Sequence, residues 1–334
     1  MKNLGRIGRS RAPMAGSSQM PGSPQMPGSP QMPGSPQMPG SPQMPGSPQM
    51  PGNIQMSGNT RRFSETCMAV ATWAAACLTL GILVFLVGFI LVRGIPYITP
   101  SLFAFTYTSD NVSLMPALIS TLFMTVLALL IAVPFGVFSA IYLVEYARRG
   151  NKFVSFVRTT TETLSGIPSI VYGLFGLLFF VTFLGWGFSV LAGAFTLAIM
   201  ILPLVMRSSE EALKAVPDAY REGAFGLGAG RLRTVFRIVI PPAMPGILAG
   251  IILAVGRIVG ETAALIYTAG TVAQIPASPA QSARTLSVHM YALTSEGFYM
   301  NEGYATAVVL LVLVVLINTG SAMLAKRIGR GRKG

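Results

Sequence analysis

The sequence predicts an all-α integral membrane protein in which six transmembrane helices follow a disordered N-terminal tail. Three observations carry that reading. Of 334 residues, 52% are hydrophobic and only 10% are charged, with a mean hydropathy of +0.61; soluble domains carry about 25% charged residues. Uncharged apolar runs recur at lengths that cross a bilayer. With the N-terminus inside, 21 of the 24 Lys and Arg fall on the cytoplasmic side of those runs, and only Arg93, Arg257 and Arg284 fall elsewhere, as the positive-inside rule requires. The net charge of +13 therefore does not point to nucleic acid, because the basic residues flank apolar spans instead of forming one face.

The tail comes first. Residues 19–48 are five copies of Gln-Met-Pro-Gly-Ser-Pro followed by a partial sixth. That density of Pro and Gly cannot bury a core, so residues 1–60 are expected to be disordered and partly polyproline-like. A six-residue period is far too short for a folded repeat array. The regularly spaced methionines raise a soft-metal reading and Pro-Gly-Ser-Pro a PxxP reading. An idle tail is the plainer one. Residues 61–334 form the membrane domain.

Thr66–Val92 is the first uncharged run. It begins too late and runs too long for a cleavable signal peptide, which predicts a permanent span. Leu114–Val144 is the second, interrupted by Pro134. Thr163–Met206 holds 44 uncharged residues, about twice the ~20 that one span needs, and Gly185-Trp186-Gly187 divides it into the third and fourth. Ala243–Tyr267 and Gly303–Ala325 are the fifth and sixth. Cys67 and Cys77 lie ten residues apart in one span, about 15 Å of helix rise, which excludes a disulfide between them. One His and two thiols supply no metal-ligand set.

The loop of about residues 207–241 carries the densest signal. Val216-Pro217-Asp218 opens a short helix, Gly228 and Gly230 supply a corner, and Arg231–Arg237 begins a second helix that Pro241-Pro242 is expected to end. Two short helices at an angle make a rigid knob suited to transmitting force. Within it, Glu222-Gly223-Ala224 precedes Gly228 by three residues, and Ile238 and Ile240-Pro241 follow nine residues later. This layout resembles the Glu-Ala-Ala loop of permease subunits in ABC importers, departing from it at Gly223 and Ile240. The resemblance implies that Glu222, Gly223, Ala224, Gly228, Ile238 and Pro241 dock a separate ATPase.

Arg257 and Glu261 stand four residues apart inside the fifth run, where helical spacing predicts a shared face and a pair. Such charges are costly in a membrane and serve a neutralising lock or a pathway; a guanidinium suits an oxyanion in transit. Gly256-Arg257 with Gly260-Glu261-Thr262-Ala263, together with Leu164–Gly176, resembles phosphate ABC importer permeases of the PstA type, from about Phe63 to the C-terminus. That resemblance implies the type I ABC importer permease fold in the cytoplasmic membrane, with both termini cytoplasmic. It further implies a PstC-like permease as heterodimer partner, two ATPase subunits holding ATP and Mg, and an extracytoplasmic phosphate-binding protein. No cofactor is expected on this chain, and no Gly-Lys dipeptide exists to build a phosphate-cradling ATP loop. Two alternatives remain at this point: a permease for sulfate or molybdate, and an ion-coupled secondary transporter using Arg257/Glu261.

Three further sets stand out. Arg158/Glu162 reads as a surface pair and Glu210/Lys214 as a helix-supporting pair. Gly166, Gly173 and Gly176 read as packing glycines. Arg284 and His289, in the loop of roughly residues 268–302, read as solvated polar residues, as a contact for the binding protein or as the lining of an anion entrance.

Overall fold

Uncharged runs become helices because backbone polar groups in lipid must be satisfied internally. The structure, a computed structural model, describes residues 58–148 and 150–330; the repeat tail lies outside them. The chain divides into two units, Met1–Glu65 and Thr66–Gly334, and the second holds the helix bundle. Its elements are α1 (Gly58–Gly94, begun in the first unit), α2 (Met115–Ile141) with a π turn over Tyr142–Tyr146, α3 (Lys152–Ser165), and α4 (Ser169–Gly176) continued by a π turn over Leu177–Phe183. There follow α5 (Val190–Lys214), α6 (Asp218–Gly226), α7 (Arg231–Thr234) with a π turn over Val235–Val239, α8 (Ile240–Val259), α9 (Ala263–Ile266), α10 (Leu286–Glu296) and α11 (Met300–Arg330). Among the described residues five helices are long and apolar enough to span, and α3 with α4 and its π turn makes a sixth candidate, bent by 102°.

The core is a three-helix stack of α2, α5 and α8. Met124, Ala128 and Ala132 of α2 meet Leu197, Ile201 and Val205 of α5, with Ala254 and Ile258 of α8 closing the cluster. Small residues set the spacing, since lipid offers helices no hydrophobic drive to associate. A Cβ on Gly136 would stand 2.8 Å from Val205 Cγ1, and one on Gly246 2.7 Å from Ala212 Cβ. Gly173 and Gly176 also pack closely, against Ala264 and against Thr196 with Thr268. Gly166 does not: it caps α3 at the bend and meets only its own helix's Thr163 carbonyl at 3.5 Å.

Prolines act differently from their sequence reading. α2 runs through Pro134 without ending. Pro241 and Pro242 likewise do not stop a helix but sit in the first turn of α8, directly after the π turn. For Pro241 and Pro242 the physical reason is complementary. A proline has no N–H to give, and a π turn shifts the bonding register by one residue, so the missing donor falls where the ladder is already reset.

Among the described residues all five ion pairs lie at the end of the bundle that carries Glu222. Lys214 pairs with Glu210 at 2.7 Å, as the spacing predicts. Arg158 does not pair with Glu162; it approaches Glu210 at 2.7 Å instead, joining α3 to α5. The buried Glu210 carboxylate thus gains a second cation, whereas Glu162 stays on the face that lines a groove at that end of the bundle. Cys67 and Cys77 are free and exposed.

Candidate functional site

The fifth run is not one helix. α8 stops at Val259, Gly260 closes its last turn by donating to the Gly256 carbonyl, and α9 starts afresh after Thr262. Glu261 therefore lies beyond the helix that holds Arg257, and the expected pair does not form. Its carboxylate turns instead to the new helix, where Oε1 accepts from the Ala264 N–H at 3.1 Å. That is a favourable exchange, because the first N–H groups of a helix lack partners and carry partial positive charge. The Glu261 carbonyl is also engaged, accepting from Ser287 Oγ at 2.6 Å. Glu261 is buried, with 8% of its surface exposed.

Arg257 is left half-buried with no ion pair or hydrogen bond among the described residues. It stands 17 residues into α8, about 25 Å along the axis, too deep to reach the Glu222 end by stretching. Its charge acts on Tyr172 of α4, whose hydroxyl donates to the Leu164 carbonyl across the α3–α4 bend at 2.8 Å. Close packing explains why these parts meet: the missing side chain of Gly173 lets α4 press onto the α9 backbone, where a Cβ would come 2.8 Å from Ala264 Cα. The two stretches singled out in the sequence, 164–176 and 256–263, are thus brought together at two helix breaks. Irregular backbone at membrane depth is tolerated where protein buries it or where it lines a cavity. An unpaired guanidinium beside such breaks is chemically suited to receive an anion.

At the other end of α5, α6 and α7 form the expected corner. Gly228 takes φ +78, and the Ala229 N–H returns to the Ala224 carbonyl at 3.0 Å, closing α6. Gly230 keeps an ordinary φ of −69 as the N-cap of α7. Ala224 is buried, while Glu222, Gly223 and Gly228 are exposed. Ile238 lies half-buried in the π turn and Pro241 half-buried at the start of α8. The tip is apolar: Leu227 is 91% exposed, flanked by the exposed Tyr220, Phe225 and Leu232.

Sequence reasoning missed what seats this knob. Arg221 reaches Glu145, at the end of α2, with Nη2–Oε1 at 2.8 Å and Nε–Oε1 at 3.1 Å, and also donates to the Leu213 and Val216 carbonyls. Glu145 is 76 residues away in sequence, so local spacing carries no trace of the pair. Arg148, Lys152, Arg158, Glu162, Lys214 and Arg231 help to line a groove of about 1000 Å³ beside it.

Residues 132–333 match the family model described as the binding-protein-dependent transport system inner membrane component. The chain is 34% identical over 274 residues to the probable ABC transporter permease protein YqgI of Bacillus subtilis, covering 76% of this chain and 92% of that one. It is 37% identical over 212 residues to the phosphate transport system permease protein PstA 1 of Mycobacterium tuberculosis, covering 62% and 69%. Among solved structures, a bacterial alginate ABC transporter in complex with an alginate-bound periplasmic protein aligns with TM-score 0.58 at 17% identity, covering 81% of this chain and 96% of that chain. The MetNI methionine ABC transporter, in inward-facing form, aligns with TM-score 0.51 at 20% identity, covering 72% and 97%. At these identities the two structures speak to the fold, which is that of ABC importer permeases.

Proposed function

Because the chain belongs to the family of binding-protein-dependent transport system inner membrane components, we propose that it is the membrane-spanning subunit of an ATP-driven importer for inorganic phosphate. The observation that carries this reading is Arg257, a guanidinium without an acid partner among the described residues where two broken helices meet, in a chain with phosphate permeases among its relatives. Arg presents a planar fork matched to two phosphate oxygens. Glu261, occupied with the α9 N-terminus, leaves that fork free while its charge keeps the empty path from holding anions too tightly.

The Glu222 end faces the cytoplasm in this reading, together with both termini. There an ATPase, which holds ATP and Mg, docks on Glu222, Gly223, Ala224 and Gly228, and moves α6 as it closes. Ile238 and Pro241 pass that motion into α8, and the Arg257 site is opened first to the outside and then to the inside. A PstC-like permease completes the pathway beside a pair of ATPases, and an extracytoplasmic binding protein delivers the anion.

The test is labelled-phosphate uptake at low external phosphate in cells lacking this chain, complemented with intact protein or with Arg257→Gln at equal membrane levels. Restoration by the intact protein alone is the expected result. Restoration by both would remove Arg257 from the path, and restoration by neither would remove phosphate as the substrate.

A further inference from the structure

Arg284 and His289 are not the solvated residues their position between the last two spans suggests. Arg284 is 7% exposed, and its Nε and Nη2 are shut from solvent with no hydrogen-bond partner. None of the ion pairs among the described residues includes it. His289 is fully buried, and neither ring nitrogen makes a hydrogen bond of good geometry. Both side chains converge on Tyr107, whose ring lies 4.6 Å under the Arg284 guanidinium and edge-to-face with His289 at 6.1 Å. The aromatic contact offsets a small part of the cost of burying a cation. The described residues supply no counter-charge.

The cluster is rigidly built. The Arg284 N–H donates to the Val272 carbonyl, and the next residue, Thr285, is the N-cap of α10. Leu286 N–H donates to Thr121 Oγ1 of α2, and Ser287 Oγ to the Glu261 carbonyl. Tyr107 is carried by a loop in which Asn111 accepts from the Thr108 and Ser113 N–H groups and donates to the Thr106 carbonyl. Val112 in that loop is held at φ +43, unusual for a β-branched residue. Only two residues thus separate Arg284 from Ser287, whose side chain is bolted to the break behind Arg257.

We propose that Arg284 and His289 form a second binding position for the transported oxyanion, outside the Arg257 site and directly before it on the path. The Nε–Nη2 edge of Arg284 takes two oxygens side-on. His289, kept neutral by burial and by the neighbouring cation, offers a ring nitrogen that accepts from a protonated oxygen. That feature favours phosphate, which keeps a proton at neutral pH, over sulfate, which does not. In this conformation the edge is closed, so the position fills in a state where the 104–114 or 268–285 segment has moved. This inference rests on the importer reading.

The experiment uses the whole importer, with its sister permease and ATPases, in proteoliposomes supplied with phosphate-loaded binding protein. Labelled-phosphate uptake is measured against binding-protein concentration for the intact complex, Arg284→Gln, Arg284→Lys, His289→Gln and His289→Leu. The expected result is a fall of about tenfold or more in maximal uptake for Arg284→Gln, the scale of one charge-assisted contact. Half-saturating binding protein should be unchanged, with partial recovery in Arg284→Lys and in His289→Gln relative to His289→Leu. Uptake at the intact rate in Arg284→Gln overturns the inference. So does a loss cured by more binding protein, which would make Arg284 the partner of a docking carboxylate. Failure of Arg284→Gln and Arg284→Lys alike to assemble would make it a packing residue and overturns the inference as well. An intact complex that moves no phosphate refutes the importer reading itself, separately from these outcomes.

Discussion

His289 is enclosed completely and stands beside a guanidinium, and the two facts act on its ring in the same direction. Burial first, and the Arg284 charge second, push its pKa from the usual 6.5 down to about 3, against a weaker opposing pull from the Val112 backbone. The folded protein therefore keeps the ring neutral across a range in which the unfolded chain protonates it. Between pH 6.5 and about 3 the unfolded state binds one more proton, so folding stability falls as pH falls, by about 1.4 kcal/mol per unit. Acidification from pH 7.5 to 5 should thus cost about 2 kcal/mol from this residue alone, and His289→Gln should remove that part of the slope. Thermal unfolding of purified protein at the two pH values, intact against variant, reads the difference; equal slopes would show that His289 does not titrate as its surroundings demand. At this scale the sequence shows residue types and withholds partners. Arg257 was visible as an intramembrane charge because depth follows from span boundaries. The Glu261 partner was not, since it is a backbone N–H exposed only by a helix break, and Gly-Glu-Thr does not announce a break.

Helix α6 is held at its base and free at its tip. The Arg221–Glu145 pair, with 14% and 8% of the side chains exposed, seats it under α2, while Leu227 projects into open space. The glycine inside it and the one at the corner beyond it differ in kind. A Cβ on Gly223 meets nothing within 4 Å, and φ there is helical; Gly228 also has open space but sits at φ +78. Gly223→Ala should therefore stabilise α6 by up to about 1 kcal/mol through helix propensity, whereas Gly228→Val should strain the corner by about 1–2 kcal/mol. If the knob couples transport to ATP, Gly223→Ala keeps phosphate moved per ATP hydrolysed and Gly228→Val lowers it. Both variants can be measured in the same proteoliposomes, and an unchanged ratio in Gly228→Val would count against docking at this corner. The knob was legible because turn chemistry is local. The continuation through Pro241 was not, because a π turn has no sequence signal comparable to that of a proline.

Across the whole membrane domain, the Arg257 break and the Glu222 knob are joined by helices that pack with almost no slack. α5 runs from the turn before Val190, where the Ser189 N–H donates to the Thr268 carbonyl, to Lys214 beside α6. α8 leads from the knob to Arg257. The two meet through Gly246 and Gly250, where an added Cβ would run into Ala212 and Ser208. α1 is the contrast. It is exposed from residue 65 to 86 and packs closely near its end, through Gly94 and through Phe89, whose ring lies 5.9 Å from that of Tyr304. Lipid satisfies such a helix, so exposure there is no defect. A stiff pair of helices passes displacement from one end to the other because a packed core shifts between arrangements and does not deform smoothly. Loosening the α5–α8 seam should therefore separate the two ends. Gly250→Leu is expected to overpack the seam, cost about 1–3 kcal/mol and lower phosphate moved per ATP with Arg257 and the knob both intact. Gly81→Leu, in α1 where nothing lies within 4 Å, is expected to change neither stability nor transport. Equal effects of the two in thermal unfolding and coupled uptake would mean that force does not travel through the seam.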